Sequence, residues 1–557
     1  MKDNKFEILS ILFFVLFTAS SLVYYHREDV YIRPMLYFYL LSVCVGIAAL
    51  QIVLCNNFKK FYIMLIILEA FLLSASFSLT QQTLYKTVLG RDPWFHWIFV
   101  DEIVRAGKIP SYENIPIPYT KMPNFHLLIT AGMILTGIPY KFSQYLFAGL
   151  PALLLVFLVL FALTRKVFDL RTALLAILLF SFADNVLDMT SKSIIPNSLG
   201  VSMAFLIYYS IISMNIIDRR IFSIAIILSF SLVLTHTVSY TFLLYQVIII
   251  LLVSLIYQKE VSKKILNLLL ILFVFAFLEW AFYSGVYFTS LINILSQLFI
   301  YGFDVERYEA RTPFSFFEVI LARLGMVTFF LLAGLGVILV LKNRLRDRVS
   351  LIHSLVTGGM VFSIFAPFSP ALASLGHRFW YYGEVLGSTF VSYLFNSKKI
   401  LRIAAVPFLI VLSLLMFGAS ISNDDNPLTP YYSQRTGWFD SEVSAGKFLI
   451  LHEVDIAFAS DLDYIWNLDY LKTSILASGK KESIKKVFPK TFEEVEMCDC
   501  IFVFRKDQFE NRLFYLGGRW TQTPHLPMKD DKLLEKYKRE KNVLYANGEI
   551  TMIWVKA

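Results

Sequence analysis

Polar and apolar residues fall along this chain in long blocks rather than short periods. Apolar runs near 8–25, 35–54, 62–79, 144–163, 172–187, 198–217, 221–236, 240–257, 264–288, 318–341, 349–368, 379–396 and 402–419 are separated by polar turns. A helix crosses a bilayer with about 20 apolar residues, so the pattern predicts about thirteen transmembrane helices. Basic residues mark alternate turns: Lys59-Lys60, Arg165-Lys166 with Arg171, Arg219-Arg220, Lys259 with Lys263-Lys264, Lys342 to Arg348, and Lys398-Lys399 with Arg402. The positive-inside rule assigns all six to the cytoplasm. The N-terminus is then expected inside and everything after about residue 420 outside. The first run is long and lacks a small-x-small cleavage site, which reads as an anchor rather than a signal peptide.

One apolar stretch breaks this alternation. Residues 124–137, NFHLLITAGMILTG, look helical but are short for a span, and crossing there would put every later basic turn on the wrong side. They are expected to lie at the interface. Residues 80–143 then form one large outer loop with two interfacial helices, headed by RDPWFHW. Asp before Pro is also a common helix start, with Asp92 as N-cap and Pro93 at the first helical position.

After residue 420 the pattern changes. Short β-rich runs at 455–460 and 500–504, and a pair flanking Asn547-Gly548, predict strands; Asn-Gly between two such runs is a strong hairpin signal. Helical stretches are expected near 440–452, 464–478 and 531–540. The fold class is therefore an α-helical polytopic membrane protein, residues 1–419, with a small extracytoplasmic α/β domain at 420–557.

Composition agrees. The 557 residues are 57% hydrophobic, 16% aromatic and only 17% charged, with a mean hydropathy of +0.62, which excludes an ordinary soluble globular protein. The net charge of +9 lies in short inter-span turns, so no nucleic-acid partner is implied. Four cysteines make no disulfide framework, and Cys498 and Cys500 read as structural. Glu69 is a mid-span carboxylate, expected to be paired inside the bundle.

The topology brings Asp92, His96, Lys192, His236, Glu309, Arg311, His377 and Arg378 to the outer side. Asp92 and His96, four apart, share a helical face. Lys192 lies where the positive-inside bias disfavours lysine, which points to an anionic ligand. Arginine is the preferred planar partner of phosphate, so Arg378 is a phosphate candidate as well as a snorkelling one. A carboxylate base, imidazoles and cations at one interface suit transfer from a lipid phosphate.

On RDPWFHW, on the turn TRKVF at 164–168, on YEARTPFSFF at 308–317 and on GHRFW at 376–380, residues 62–419 resemble GT-C superfamily glycosyltransferases, of the kind of the oligosaccharyltransferase catalytic subunit and its archaeal relatives. The resemblance implies Asp92 and Glu309 as catalytic carboxylates. It implies Arg378, with Lys192 and His236, at the donor phosphate, and His96, Arg311 and His377 at the substrate. The second outer loop departs from that family: SIIPNSLG at 193–200 carries no DxE motif, and Asp184 and Asp188 just upstream have the wrong spacing. GWFDSEVSAG at 437–446 lacks a WWDYG-type acceptor motif. The expected activity is thus sugar transfer from a polyprenyl-phosphate donor to a glycan, protein or lipid acceptor on the outer face. En bloc oligosaccharide transfer to protein, or a lipid or solute transporter or flippase, are the alternatives. Metal dependence stays open, with Mg or Mn on Asp92 and Glu309 as the candidate.

Overall fold

The computed structural model describes residues 3–111, 118–213, 218–285, 287–301, 320, 322–369, 372, 375–428, 435–452, 456–476, 484–518, 523–528 and 532–556. All thirteen predicted spans are helical among these. Nine are individually long and apolar enough to cross a membrane, including Met35–Leu54, Lys60–Thr83, Tyr140–Val167 and Thr237–Tyr257. The other four depart for physical reasons. Leu170–Phe180 and Asp184–Lys192 form one pair bent by 60°, and Pro196–Ser213 and Arg219–Val233 are short. The last, Gly376–Asn396, is long but polar.

That polarity follows from its position. Every residue from Trp380 to Ser392 is buried, so this central helix faces protein rather than lipid. Its polar groups bond inward: Thr389 Oγ1 lies 2.9 Å from Thr164 Oγ1, and Glu384 accepts from the Asn185 amide at 2.7 Å and its backbone N–H at 3.0 Å. Gly383 lets it approach closely, since a Cβ there would lie 2.5 Å from the Phe330 ring. Burial on all sides removes the need for an apolar outer face.

Both loop helices form. Arg91–Ala106 is capped by Gly90 rather than Asp92; Gly90 adopts φ +82 and the helix begins one residue before Asp92. Asp92 therefore sits in the first turn, where the helix dipole favours its charge, and the cap expectation is corrected by that shift. Asn124–Thr136 has only 13 residues, too few to span.

The C-terminal region builds a four-stranded sheet in the order β1-β2-β6-β5, from β1 (Ala457–Ala459), β2 (Cys500–Arg505), β5 (Asn542–Ala546) and β6 (Ile550–Val555). β1 and β2 run parallel; the rest is antiparallel. The Asn547-Gly548 hairpin forms as expected, with Gly548 at φ +93. A separate pair, β3 (Phe514–Leu516) and β4 (Thr523–His525), has no counterpart in the sequence pattern. Cys498 and Cys500 are joined in a disulfide. A single apolar cluster runs from Trp94, Val100, Phe125 and Ile129 of the loop helices into Trp438, Leu449, Phe458 and Tyr464 of the C-terminal region. The loop and the sheet region thus share a core.

Candidate active site

A cavity of about 480 Å³ opens where three parts of the chain meet. The Arg91–Ala106 helix supplies Asp92, Phe95 and His96, and the start of Gly376–Asn396 supplies Arg378. The C-terminal helix Leu462–Leu476 closes the third side with Leu462, Asp463, Trp466 and Tyr470. Tyr119 and Pro118 complete the wall.

Local geometry explains how each charge arrives there. Residues four apart on a helix face one way, so Asp92 and His96 enter the same cavity. Asp92 is exposed to it, and Arg378 is half-buried with its Nε unpartnered. Arg91, one residue earlier, pairs with the buried Asp463 and so fastens the C-terminal helix over Asp92. His96 is buried, and its Nδ1 lies 2.9 Å from Nε2 of His126. Burial lowers the His96 imidazole to about 4, opposed by Asp92 and reinforced by Arg378. Burial also pushes the Tyr119 phenol up to about 12. At neutral pH the cavity therefore holds a neutral imidazole and an intact phenol beside the Arg378 guanidinium.

Two residues expected at the phosphate do not line the cavity, although His236 is close enough for Arg378 and His96 to act on its imidazole. Lys192 is not among the residues lining this cavity; its ammonium is buried 2.9 Å from the Asp424 carboxylate. The anion inferred from its unfavourable side is one of the chain's own carboxylates. His236 caps the helix Thr237–Tyr257, its Nδ1 accepting from the Ser239 N–H at 3.2 Å. Glu309 and Arg311 lie outside the described residues, as does the side chain of His377. Among the described residues no three His, Cys, Asp or Glu side chains gather to hold a metal, and a cation on Asp92 would need Glu309 beside it.

The structure adds residues the sequence did not single out. Tyr119, Trp466, Tyr470 and His126 carried no recognisable spacing. Asp463 meets Arg91, and Asp461 meets Arg505 at 3.0 Å. Asp184 lies in the helix break with Asn185 and Glu384, and Asn185 bonds both carboxylates. This cluster is buried and outside the lining of this cavity. Glu69 is buried and accepts from Gln51 at 3.1 Å, as expected of a paired mid-span acid.

No protein-family model matches the sequence, and no curated protein matches it. Solved structures do. The archaeal oligosaccharyltransferase AglB from Archaeoglobus fulgidus, in complex with an inhibitory peptide and a dolichol-phosphate, is 14% identical with a TM-score of 0.46, covering 77% of this chain and 61% of that one. ArnT from Cupriavidus metallidurans, bound to undecaprenyl phosphate, is 12% identical with a TM-score of 0.47, covering 90% of this chain and 99% of that one. The chain spans about three fifths of the length of the archaeal oligosaccharyltransferase chains it matches.

Proposed function

We propose that this chain is a multi-pass membrane glycosyltransferase of GT-C type that uses a polyprenyl-phosphate-linked sugar. The observation that carries the reading is the shared cavity: a carboxylate without an ion-pair partner among the described residues, Asp92, and the Arg378 guanidinium face one space. Asp92 takes the proton of the acceptor hydroxyl as its oxygen bonds to the sugar's anomeric carbon. The bond from that carbon to the phosphate oxygen breaks, and the polyprenyl phosphate leaves against Arg378, whose planar fork matches phosphate oxygens. Phe95, Tyr119, Trp466 and Tyr470 give the space aromatic walls on which a sugar ring can rest. The apolar helices of the bundle hold the lipid tail, and the cavity end faces the outside, as the basic turns indicate.

Base catalysis is worth about 10²–10⁴-fold. Asp92→Asn is expected to lower transfer by that factor in membranes supplied with a polyprenyl-phosphate sugar, with unchanged expression and melting. Transfer at the wild-type rate would remove Asp92 from the chemistry.

A further inference from the structure

The pair His96–His126 has one feature the reaction above does not use. With Nδ1 of His96 and Nε2 of His126 2.9 Å apart, one nitrogen must donate and the other accept, because a neutral imidazole has one N–H and one lone pair. The rest of the His126 ring decides which. His126 is fully buried, and its Nδ1 has no hydrogen-bond partner. It is boxed in by Phe99, Tyr119 and Phe125, with ring centroids at 4.5, 5.4 and 5.4 Å. A proton on that Nδ1 would be a buried donor with no acceptor, which native structures avoid more strictly than an unfilled lone pair. The proton therefore belongs on Nε2 of His126, pointing at His96.

We propose that His126 donates to Nδ1 of His96 and so fixes His96 as its Nε2–H tautomer, a neutral hydrogen-bond donor to an oxygen of the bound ligand rather than a base. His126 is a positioning residue here, and the inference rests on the transferase reading of the cavity. Burial supports it, since both rings are held below the usual imidazole range and carry no extra proton at neutral pH. Asp92 is then left without a rival base on its own helical face.

Glutamine places an amide N–H where Nε2–H stands and cannot act as a base. His96→Gln is expected to stay within a few-fold of wild-type transfer, whereas His96→Leu falls about 100-fold, the scale for losing one oriented donor. His126→Gln, which can still donate to His96, is expected to work where His126→Phe does not. Equal failure of His96→Gln and His96→Leu, with melting unchanged, would overturn the proposal. A second measurement stands apart from the activity: ¹⁵N-histidine spectra of the full chain in detergent, assigned by the two glutamine variants. Both rings are expected as Nε2–H, and Nδ1–H on either one would overturn the tautomer even if transfer is confirmed. Conversely, polyprenyl monophosphate that fails to raise the wild-type melting temperature would sink the transferase reading, whatever the spectra show.

Discussion

Two sets of charges stand at the same end of this bundle and are treated in opposite ways. The first joins the C-terminal region to the membrane helices. Arg33 is fully buried and bonds Asp425 through its Nε at 2.9 Å and a terminal nitrogen at 2.6 Å, and it also reaches Gln81 and Asn423. Lys192 pairs with Asp424, whose second oxygen accepts from the Thr436 and Gly437 N–H groups at 2.7 Å each. The second set is Asp92 and Arg378, which line an open cavity and make no ion pair among the described residues. A buried charge is tolerated when its partner and hydrogen bonds offset the lost water. In the joint the protein supplies those partners, so the charges hold two regions in register. In the cavity water or a ligand must supply them, so the charges are available for chemistry.

The contrast breaks first at the joint. Removing one member of a buried ion pair costs about 3–5 kcal/mol because the other is left uncompensated. Arg33→Ala and Asp425→Ala are each expected to lower the melting temperature sharply and reduce the yield of folded protein. Lys192→Met with Asp424→Asn removes both charges while keeping an oxygen for the Thr436 and Gly437 N–H groups, and should recover much of what Lys192→Met alone loses. Should Lys192→Met instead leave melting intact and weaken donor saturation, Lys192 would belong to the cavity and the division would fall.

Arg378→Ala tests the other side with a smaller effect. A charge-assisted bond contributes about 1.5–3 kcal/mol, so apparent donor affinity is expected to weaken by roughly 10- to 100-fold. Arg378→Lys should recover little, because a point charge does not reproduce the planar fork. Stability should not move, since no carboxylate among the described residues loses a partner. Unchanged saturation with the polyprenyl-phosphate donor would remove Arg378 from the site.

The two sets also differ in how well the sequence announces them. Asp92 and Arg378 stand out because each interrupts apolar sequence next to tryptophan, and the block pattern with its basic turns places them on one side. The spans, the hairpin at Asn547-Gly548 and the loop helices are visible for the same reason: their signals are local. Arg33 and Asp425 are 392 positions apart, and no periodicity links them. Yet a trace of the joint is present, since Arg33 and Lys192 are both cations in turns on the expected outer side. The bias that made Lys192 conspicuous applies equally to Arg33, and the partners turned out to be consecutive aspartates just past the last span. Nothing comparable betrays the cavity's far wall. Trp466 and Tyr470 belong to a helix whose face is decided by where the sheet region docks.

Acid separates the two regions without mutation, and the sign follows from the direction of each shift. His96 is lowered to about 4 by burial, from an ordinary value near 6.5. Between those values the unfolded chain binds a proton that the folded chain refuses, so stability falls as pH drops from about 6.5 toward 4. His126, also held low by burial and by His96, acts in the same direction. Glu442 lies in the C-terminal region that the joint anchors. Burial would raise its carboxyl, but Arg435 and Arg505, bonded at 2.6 and 2.8 Å, override that and bring it down to about 2. Its contribution is present above about 4.5 and is lost as pH falls toward 2. Thermal melts across pH should therefore show an upper loss that His96→Gln reduces and a lower one, shared with Asp424, that Glu442→Gln reduces. The upper loss is a cost of keeping a neutral imidazole buried in the cavity wall, whereas the lower one is the undoing of an ion-pair network. If His96→Gln leaves the fall between 6.5 and 4 untouched, the imidazole is not held buried and neutral in the cavity wall.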